Sequence, residues 1–438
     1  MESREGAVGQ AVPQVEQGML RRAIVGASVG NLVEWFDFAV YGYLAATLGA
    51  IFFPSDDPTI SLLASFAVFG VAFFARPLGG FFFGPLGDRI GRQSTLVAVI
   101  ILMSFATFAI GFLPGYEAIG IWAPILLVFL RLVQGFSTGG EFGGASAFLA
   151  EYSPDERRGF LVSWIEFSAV GGFFLGAASV LLLTAAIGED ALGSWGWRIP
   201  FLLAGPLGLI GLYIRLRLDD TPEFRALEQA GEVSRSPFRE TLTQNWKPIL
   251  QVVGLVIIQN AGFYIVLTYM PTYFSEELGF DTTSSSLSTV LTLIVAMALI
   301  PPLGALSDRV GRKPLLAASC VGFALFSYPL FLLMNQGSLF AAGLAHVALG
   351  ILLAIFLSTT IAALTELFPT RVRYGGFSIG YNISVAIFGG AAPFFATWLI
   401  SATGNPLSPA FYLIAAAVAT FVTLLTIKET ARTPLRKT

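Results

Sequence analysis

Long apolar segments alternate with short polar segments along the whole chain. A helix needs about 20 predominantly apolar residues to cross a bilayer. Backbone groups inside lipid must be hydrogen-bonded within their own segment, so each such run is predicted to be a membrane-spanning helix. Twelve spans are predicted, at about 23–50, 60–86, 94–113, 121–149, 160–187, 199–216, 248–274, 285–306, 314–334, 339–364, 375–401 and 409–427.

The longest polar stretch inside the chain, 217–247, separates six predicted spans from six. We therefore expect an all-α integral membrane protein with two six-helix lobes, 23–216 and 248–427, joined by a central loop. Residues 1–22 and 428–438 are expected to be tails. The first 20 residues contain no apolar core of the kind found in signal peptides, which argues against a cleaved leader.

Two motifs are repeated in the two halves. Gly84-Pro-Leu-Gly-Asp-Arg-Ile-Gly-Arg92 returns as Gly304-Ala-Leu-Ser-Asp-Arg-Val-Gly-Arg312, with six of nine positions identical. Glu151-Tyr-Ser-Pro-Asp-Glu-Arg-Arg158 is echoed by Glu366-Leu-Phe-Pro-Thr-Arg-Val-Arg373. Parallel repeats of this kind are typical of transporters whose halves are related by an axis along the membrane normal.

Basic residues predict the orientation. Of the 25 Lys and Arg, all except Arg76, Arg131 and Arg198 lie in the tails or in the loops after even-numbered spans. Cytoplasmic loops carry such an excess, so both termini and the central loop are expected on the cytoplasmic side of the cell (inner) membrane.

Composition excludes several classes of function. Apolar residues make up 55% of the chain and charged residues 12%, whereas soluble domains carry about 25% charged residues. No basic patch suggests nucleic-acid binding, and one Cys with one His argues against a metal site or disulfides. No nucleophile–base pair or sizeable soluble domain suggests an enzyme or receptor. We expect a small-molecule substrate, a proton as the coupling ion, no other cofactor and a functional monomer in the lipid bilayer.

The repeated turn has two interpretations. As a latch, Asp88 and Arg92 bind across to the other lobe in one conformation and release in another. Alternatively, its charges only fix the topology and cap the next helix. The presence of two copies at matching places favours a latch. The gating candidates are Gly84, Asp88, Arg89, Arg92, Asp308, Arg309 and Arg312.

Span 1 carries ionisable groups at bilayer depth, where they are costly and usually functional. Helical spacing places Asn31, Glu34, Asp37 and Tyr41 on one stripe. Two carboxylates one turn apart resist ionising together in a low dielectric, which suits proton coupling. The alternative is a permanent ion pair with Arg76 or Arg131.

Span 4 is expected to face the same cavity, which predicts a cluster of Glu34, Asp37 and Arg131, with Glu141 nearer the cytoplasm. Arg76 and Glu166 are expected to be supporting buried charges that pair with each other or line the inner vestibule. The predicted spans of the second half are expected to hold almost no charge at bilayer depth. Its polar candidates are Gln259, Asn260, Tyr264, Thr268, Tyr269, Tyr381 and Asn382.

Four further motifs are specific: Asn31-Leu-Val-Glu-Trp-Phe-Asp-Phe38, Arg76-Pro-Leu-Gly-Gly80, Gln134-Gly-Phe-Ser-Thr-Gly-Gly-Glu141 and Trp195-Gly-Trp-Arg-Ile-Pro200. They resemble those of the metabolite:proton symporter family of the major facilitator superfamily, and within it the chain is most similar to the proline/glycine betaine (osmolyte) transporters. The resemblance covers nearly all of residues 20–435. It implies proton-coupled uptake of a small zwitterion, with Glu34, Asp37, Arg131 and Glu141 at the substrate and coupling positions. The similarity to the osmolyte transporters rests on Trp122-Ala-Pro-Ile-Leu126, Ala150-Glu-Tyr-Ser-Pro154, Leu267-Thr-Tyr-Met-Pro271 and Phe368-Pro-Thr370.

This resemblance leaves the substrate open. A quaternary ammonium is held well by aromatic faces. The chain can supply such faces from Trp35, Phe38, Tyr41, Trp164, Tyr264 and Tyr269. The alternative within the family is a carboxylic acid such as α-ketoglutarate, citrate or a shikimate-like acid, which should require more unpaired arginines. A drug/proton antiporter is a further alternative, although span 5 shows no Gly-Pro-rich antiporter motif.

Overall fold

The computed structural model describes residues 17–90, 92–139, 141–216 and 245–435. It leaves undescribed the side chains at 17–23, 27, 84–90, 92–94, 96, 141, 148, 152, 214–215, 370–372 and 374. The described residues form helices and connecting turns, and no strand occurs among them.

The first lobe contains the six helical segments that the apolar pattern predicts. Span 1 is bent by 62° where its two helices meet. Spans 3 and 6 have the shortest apolar stretches of the lobe. The helices are Gln17–Tyr43 and Ala45–Phe52 (span 1), Pro58–Ile90 (span 2), Arg92–Ile110 (span 3), Trp122–Thr138 and Glu141–Tyr152 (span 4), Arg158–Ile187 (span 5) and Arg198–Leu216 (span 6).

The second lobe also has six spans, and two of them contain π-helical turns. Together with the first lobe, the helices confirm the predicted all-α fold with twelve spans. The bounds are Trp246–Leu255, Ile257–Gly262, π-helix Phe263–Tyr269, Met270–Thr272 and π-helix Tyr273–Glu277 (span 7), Thr282–Val310 (span 8), Arg312–Met334 (span 9), Leu339–Glu366 (span 10), Thr370–Ser384, π-helix Val385–Gly389 and Ala392–Thr403 (span 11) and Ser408–Leu425 (span 12).

The π-helical part of span 7 is tied to its neighbours through backbone carbonyls. Pro271 has no N–H to give to the carbonyl of Leu267, four residues earlier. That carbonyl accepts the hydroxyl of Tyr43 from span 1 at 2.7 Å. The carbonyl of Val266 lies 2.8 Å from Nε2 of His346. Span 7 is therefore held both by the first lobe and by span 10.

The lobes touch along spans 5 and 8 and along spans 2 and 11. Two glycines face each other at the first of these contacts, Gly159 of span 5 and Gly304 of span 8. A Cβ added to Gly159 would lie 2.7 Å from the carbonyl oxygen of Gly304, and the reverse distance is 2.8 Å. The first glycine of the second repeated turn is thus a close-packing position between the lobes.

Candidate functional site

The two carboxylates of span 1 are buried, with exposures of 0% for Glu34 and 1% for Asp37, but they have different partners. Nη2 of Arg76, on span 2, donates to Oε1 of Glu34 at 2.6 Å. Oδ2 of Asp37 accepts the hydroxyl of Thr107, on span 3, at 2.9 Å. Glu34 is therefore compensated by a cation, whereas the described partner of Asp37 is a neutral hydroxyl.

Arg131 reaches Asp37 through two other side chains. Its Nη1 donates to Oε1 of Gln134 at 2.9 Å, and Nε2 of Gln134 donates to the hydroxyl oxygen of Thr107 at 2.5 Å. Thr107 in turn donates to Asp37. Every donor in this relay points from the guanidinium toward the carboxylate. The predicted cluster of Glu34, Asp37 and Arg131 thus takes the form of one ion pair to Arg76 and one relay to Arg131.

Aromatic rings surround both guanidinium groups. Cζ of Arg76 lies 5.5–5.6 Å from the ring centres of Trp35, Phe38 and Phe73. Cζ of Arg131 lies 4.3 Å from the ring centre of Tyr41 and 5.2 Å from that of Phe38. These distances suit cation–π attraction, which is strongest when the site is desolvated.

The second lobe closes this cluster with Tyr264. Its ring centre lies 5.1 Å from that of Phe73 and 5.8 Å from that of Phe69. The hydroxyl of Tyr264 is buried and has no hydrogen-bond partner among the described residues. Tyr381 lies beyond it, 4.6 Å from Phe142 between ring centres. The site is therefore formed by both lobes and sealed by aromatic contacts.

Asn31 belongs to the frame of the site. Its Nδ2 donates to the carbonyl of Ile165 and to Oγ of Ser168, each at 2.9 Å. Its Oδ1 accepts the indole N–H of Trp35 at 3.0 Å. Asn31 therefore fixes span 1 against span 5 and orients Trp35, and its polar atoms are already occupied.

Four other predicted residues have contacts outside this cluster. Trp164 has ring contacts with Phe160 and Phe167 of its own helix. The other three residues make four contacts: Tyr269 with Phe66 and Tyr273, Asn260 with Ser384, and Asn382 with the carbonyl of Gly139.

Two expectations about buried carboxylates have different outcomes. The expected pairing of Arg76 with Glu166 is wrong, because Arg76 binds Glu34 and Glu166 accepts Nε2 of Gln259 at 2.8 Å. The side chain of Glu141 lies outside the described side chains, so its predicted role stays a prediction.

The second copy of the repeated turn binds across to the first lobe. The backbone N–H groups of Gly159 and Phe160, in the first turn of span 5, donate to the carboxylate of Asp308 at 2.7 and 2.9 Å. The carboxylate thus caps a helix of the other lobe, where the helix dipole favours negative charge. Nη1 of Arg312 holds the same carboxylate at 2.8 Å, while Arg309 is exposed. The side chains of Gly84, Asp88, Arg89 and Arg92 lie outside the described side chains.

The segment after span 12 is seated on this contact. Glu429 accepts the backbone N–H groups of Arg312 and Lys313, which begin span 9, at 2.8 and 3.0 Å. Burial raises the pKa of Glu429, but backbone N–H donors outweigh it, so the pKa lies below its usual range. Nε of Arg432 donates to the carbonyl of Asp308 at 2.7 Å. We call the surface where 151–160, 307–313, 366–373 and 428–433 meet the terminal face.

Thr107 and Gln134 are functional candidates that sequence reasoning missed. Gln134 stands three positions after Arg131, a spacing that places two helical side chains side by side. It therefore carried a usable signal. A threonine in an apolar span, by contrast, is indistinguishable by sequence from one that bonds its own helix, and Thr107 also lies 3.1 Å from the carbonyl of Met103.

Curated proteins similar to this chain are transporters. The model of the family described as "Sugar (and other) transporter" matches residues 23–240 and 226–438. A glycine betaine/proline/ectoine/pipecolic acid transporter of Dickeya dadantii is 46% identical over 96% of this chain and 86% of its own length. A proline/betaine transporter of Escherichia coli is 44% identical with the same coverage. An ectoine/proline transporter of Corynebacterium glutamicum is 39% identical over 95% of this chain and 85% of its own length.

Solved structures with the same fold include a proton:xylose symporter of the major facilitator superfamily bound to a bromodeoxyglucose. It has a TM-score of 0.77 at 18% identity and covers 96% of this chain and 98% of that chain. A partially occluded inward-open form of a xylose transporter from E. coli has a TM-score of 0.76 at 20% identity, covering 94% and 99%. At these identities the likeness shows the fold alone.

Proposed function

Because this chain belongs to the sugar (and other) transporter family of the major facilitator superfamily, we propose that it carries a small zwitterionic osmolyte such as proline or glycine betaine into the cell together with a proton. The chain is a multi-pass membrane transporter with a small-molecule substrate. The substrate class, the proton and the direction are the proposal. The relatives that transport proline and betaines support it.

The observation that carries the proposal is the set of unused polar atoms in a buried aromatic site. Nε and Nη1 of Arg76 and Nε of Arg131 are buried donors without a hydrogen-bond partner among the described residues. Such donors suit a carboxylate, and the rings of Trp35, Phe38 and Tyr264 suit an ammonium group. Both ends of a zwitterion therefore have matching chemistry within one cluster.

The charge balance favours a substrate without net charge. The site holds two guanidiniums, Arg76 and Arg131, and two carboxylates, Glu34 and Asp37. A zwitterion adds no net charge to this set, whereas a dicarboxylate adds two negative charges, of which a proton on Asp37 offsets only one. Uncompensated charge in a buried site costs several kcal/mol.

Asp37 is the proposed proton carrier. An ionised carboxylate buried without a cation in contact is costly, and a bound proton removes that cost. Glu34 has its cost offset by Arg76. The relay from Arg131 through Gln134 and Thr107 couples the protonation state of Asp37 to the hydrogen bonding of Arg131. The substrate carboxylate is proposed to bind at Arg131.

The proposal includes alternating access, with the terminal face on the cytoplasmic side of the inner membrane, as the basic loops predict. There the contacts of Asp308 keep the lobes together in this conformation. The latch interpretation of the repeated turn is thereby extended to its second copy.

Uptake into proteoliposomes under an imposed pH gradient tests the proposal. Labelled proline, glycine betaine and α-ketoglutarate are supplied separately, with and without the gradient. We expect gradient-driven accumulation of proline or glycine betaine and no accumulation of α-ketoglutarate. Accumulation of α-ketoglutarate alone would establish the carboxylic-acid alternative. Accumulation that does not depend on the gradient would overturn the proposed proton coupling.

A further inference from the structure

A second buried carboxylate lies across the interface between the lobes. Glu166, on span 5, is 1% exposed, and Gln259, on span 7, is 2% exposed. Nε2 of Gln259 donates to Oε1 of Glu166 at 2.8 Å. Among the described residues no cation lies within ion-pair distance of Glu166, and Oε1 of Gln259 is buried without a partner.

We infer that Glu166 takes up a proton from cytoplasmic water as the lobes close on that side and returns it to the same water when they part. A protonated Glu166 can donate its O–H to the unused Oε1 of Gln259 while Nε2 of Gln259 donates back. All polar atoms of the contact would then be satisfied. An ionised Glu166 can only accept hydrogen bonds. The side-chain carbonyl of Gln259 then stays buried without a donor, and a negative charge stays buried without a cation.

The position of Glu166 suits release on the cytoplasmic side. It lies eight residues into span 5, about 12 Å from its start at Arg158. The contacts of Asp308 with Gly159 and Phe160 lie between Glu166 and the cytoplasm. When these contacts break, spans 5 and 7 separate, Gln259 withdraws and the carboxylate becomes hydrated.

Among the described side chains, Glu166 is the titrating group at this interface. Tyr264 of span 7 and Tyr381 of span 11 lie within its electrostatic range, and both are neutral phenols at physiological pH. Spans 1 and 2 present the ion pair of Glu34 and Arg76. Spans 8 and 10 present Asp308 and Glu366, about two turns nearer the cytoplasm. The side chain of Glu141, on span 4, lies outside the described ones.

Cytoplasmic accessibility of span 5 provides the test. Ser163 lies one turn from Glu166 and is 2% exposed, against Gly304 of span 8. Ser163→Cys is introduced with Cys320→Ser into the full chain, and inside-out vesicles are labelled with a membrane-impermeant maleimide between about pH 6 and 9. Labelling rates are divided by those of a Glu156→Cys variant in the Cys320→Ser background, because Glu156 is exposed. This division removes the intrinsic pH dependence of the thiol.

We expect the corrected rate to rise with pH, by up to about tenfold per pH unit for one coupled proton. Glu166→Gln, which mimics the protonated form, should give a low rate that does not change with pH. Glu166→Asp should restore a slope. A slope in Glu166→Gln equal to that of the parent would overturn the inference. If Glu166→Gln fails to insert, Glu166→Met takes its place, because it also removes the titratable carboxyl, and a slope there equal to that of the parent has the same meaning.

Glu151→Gln is the matched control. Glu151 also binds across the lobes, through Arg373 at 2.6 Å, but it lies at the terminal face with its side chain 28% exposed. Its loss should raise the corrected rate at every pH without flattening the slope.

This inference rests on alternating access, the frame of the proposed function, and not on the substrate. The labelling assay contains no substrate. Failure to transport proline or betaine would therefore remove the proposed substrate and leave the assignment of Glu166 standing. A labelling rate that does not change with pH in the parent would overturn the assignment of Glu166 and leave the uptake results unaffected.

Discussion

Nη1 of Arg158 lies 3.0 Å from Oε1 of Glu366, so the last residue of a motif in the first lobe binds the first residue of its echo in the second. The reverse pair is also present, with Nη1 of Arg373 2.6 Å from Oε1 of Glu151. The duplicated motif thus forms two reciprocal ion pairs across the lobe interface. Both must break before the lobes can part at the terminal face.

Replacing Glu366 by Gln should open this face. The carboxylate of Glu366 also binds Arg312 at 3.2 Å, and both arginines are 1% exposed in their side chains. Removing one partner from a buried ion pair costs about 3 kcal/mol or more. The closed state bears that cost, so we expect faster hydrogen exchange in the first two turns of span 5.

Glu156→Gln is the control for this variant, because Glu156 is an exposed carboxylate on the same loop. It should leave the exchange of span 5 unchanged. Equal exchange rates in Glu366→Gln and the parent would show that the ion pairs do not hold the lobes together.

The two carboxylates of span 1 should respond differently to neutralisation. Asp37→Asn keeps a side chain that can bond Thr107 but cannot carry a proton. A gradient of one pH unit supplies about 1.4 kcal/mol per proton, enough for about tenfold accumulation. We expect Asp37→Asn to reduce accumulation to the equilibrium level while exchange of internal for external substrate continues.

Glu34→Gln should instead weaken folding and binding, because it leaves the buried cation of Arg76 without its counter-ion. We expect a lower thermal midpoint in detergent and slower exchange. Full gradient-driven accumulation by Asp37→Asn would show that another residue carries the proton. An unchanged thermal midpoint for Glu34→Gln would contradict the stabilising role of the ion pair.

The helices could be predicted from sequence because the bilayer imposes length and apolarity on each span independently. That constraint acts locally, so twelve spans and two lobes follow from windows of about 20 residues. Span 7 shows its limit. Its π-helical turns depend on Pro271 and on partners from two other spans, Tyr43 and His346.

The site was predicted only as far as a single helix defines it. The spacing of Glu34 and Asp37 fixes their common face, and the structure keeps both buried together. Which cation serves which carboxylate depends on the rotation and depth of neighbouring helices, and the pairing of Arg76 with Glu34 was only one of the alternatives. A partner such as Thr107 is an ordinary residue of an apolar span and carries no local signal. Gln259 stands out as a polar residue, but its pairing with Glu166 does not follow from the sequence.

A methyl group at Gly159 should prevent full closure of the terminal face. A Cβ there would lie 2.4 Å from Nη1 of Arg312 and 2.7 Å from the carbonyl oxygen of Gly304. The backbone contact cannot yield without moving span 8. We expect Gly159→Ala to raise maleimide labelling of the Ser163→Cys reporter severalfold. Gly193→Ala is the control, because nothing lies within 4 Å of the added Cβ, and it should label like the parent. Equal labelling of Gly159→Ala and Gly193→Ala would contradict close packing as the reason for the glycine at 159.

Docking of the segment after span 12 should depend on the charge of Glu429. Its pKa is lowered, because the backbone N–H groups that it accepts outweigh the effect of burial. A lowered pKa means that the stabilisation is present above the ordinary value of about 4.3 and is lost as pH falls through the depressed value. The segment should therefore remain docked from about pH 5 upward.

Hydrogen exchange of residues 428–435 measures this docking, and Glu429→Gln should speed exchange there at pH 7. Glu156→Gln, on the same face, should not change it. Release of the segment in the parent between pH 7 and 5 would contradict a lowered pKa, and slow exchange in Glu429→Gln would show that the contacts of Arg432 suffice without the carboxylate.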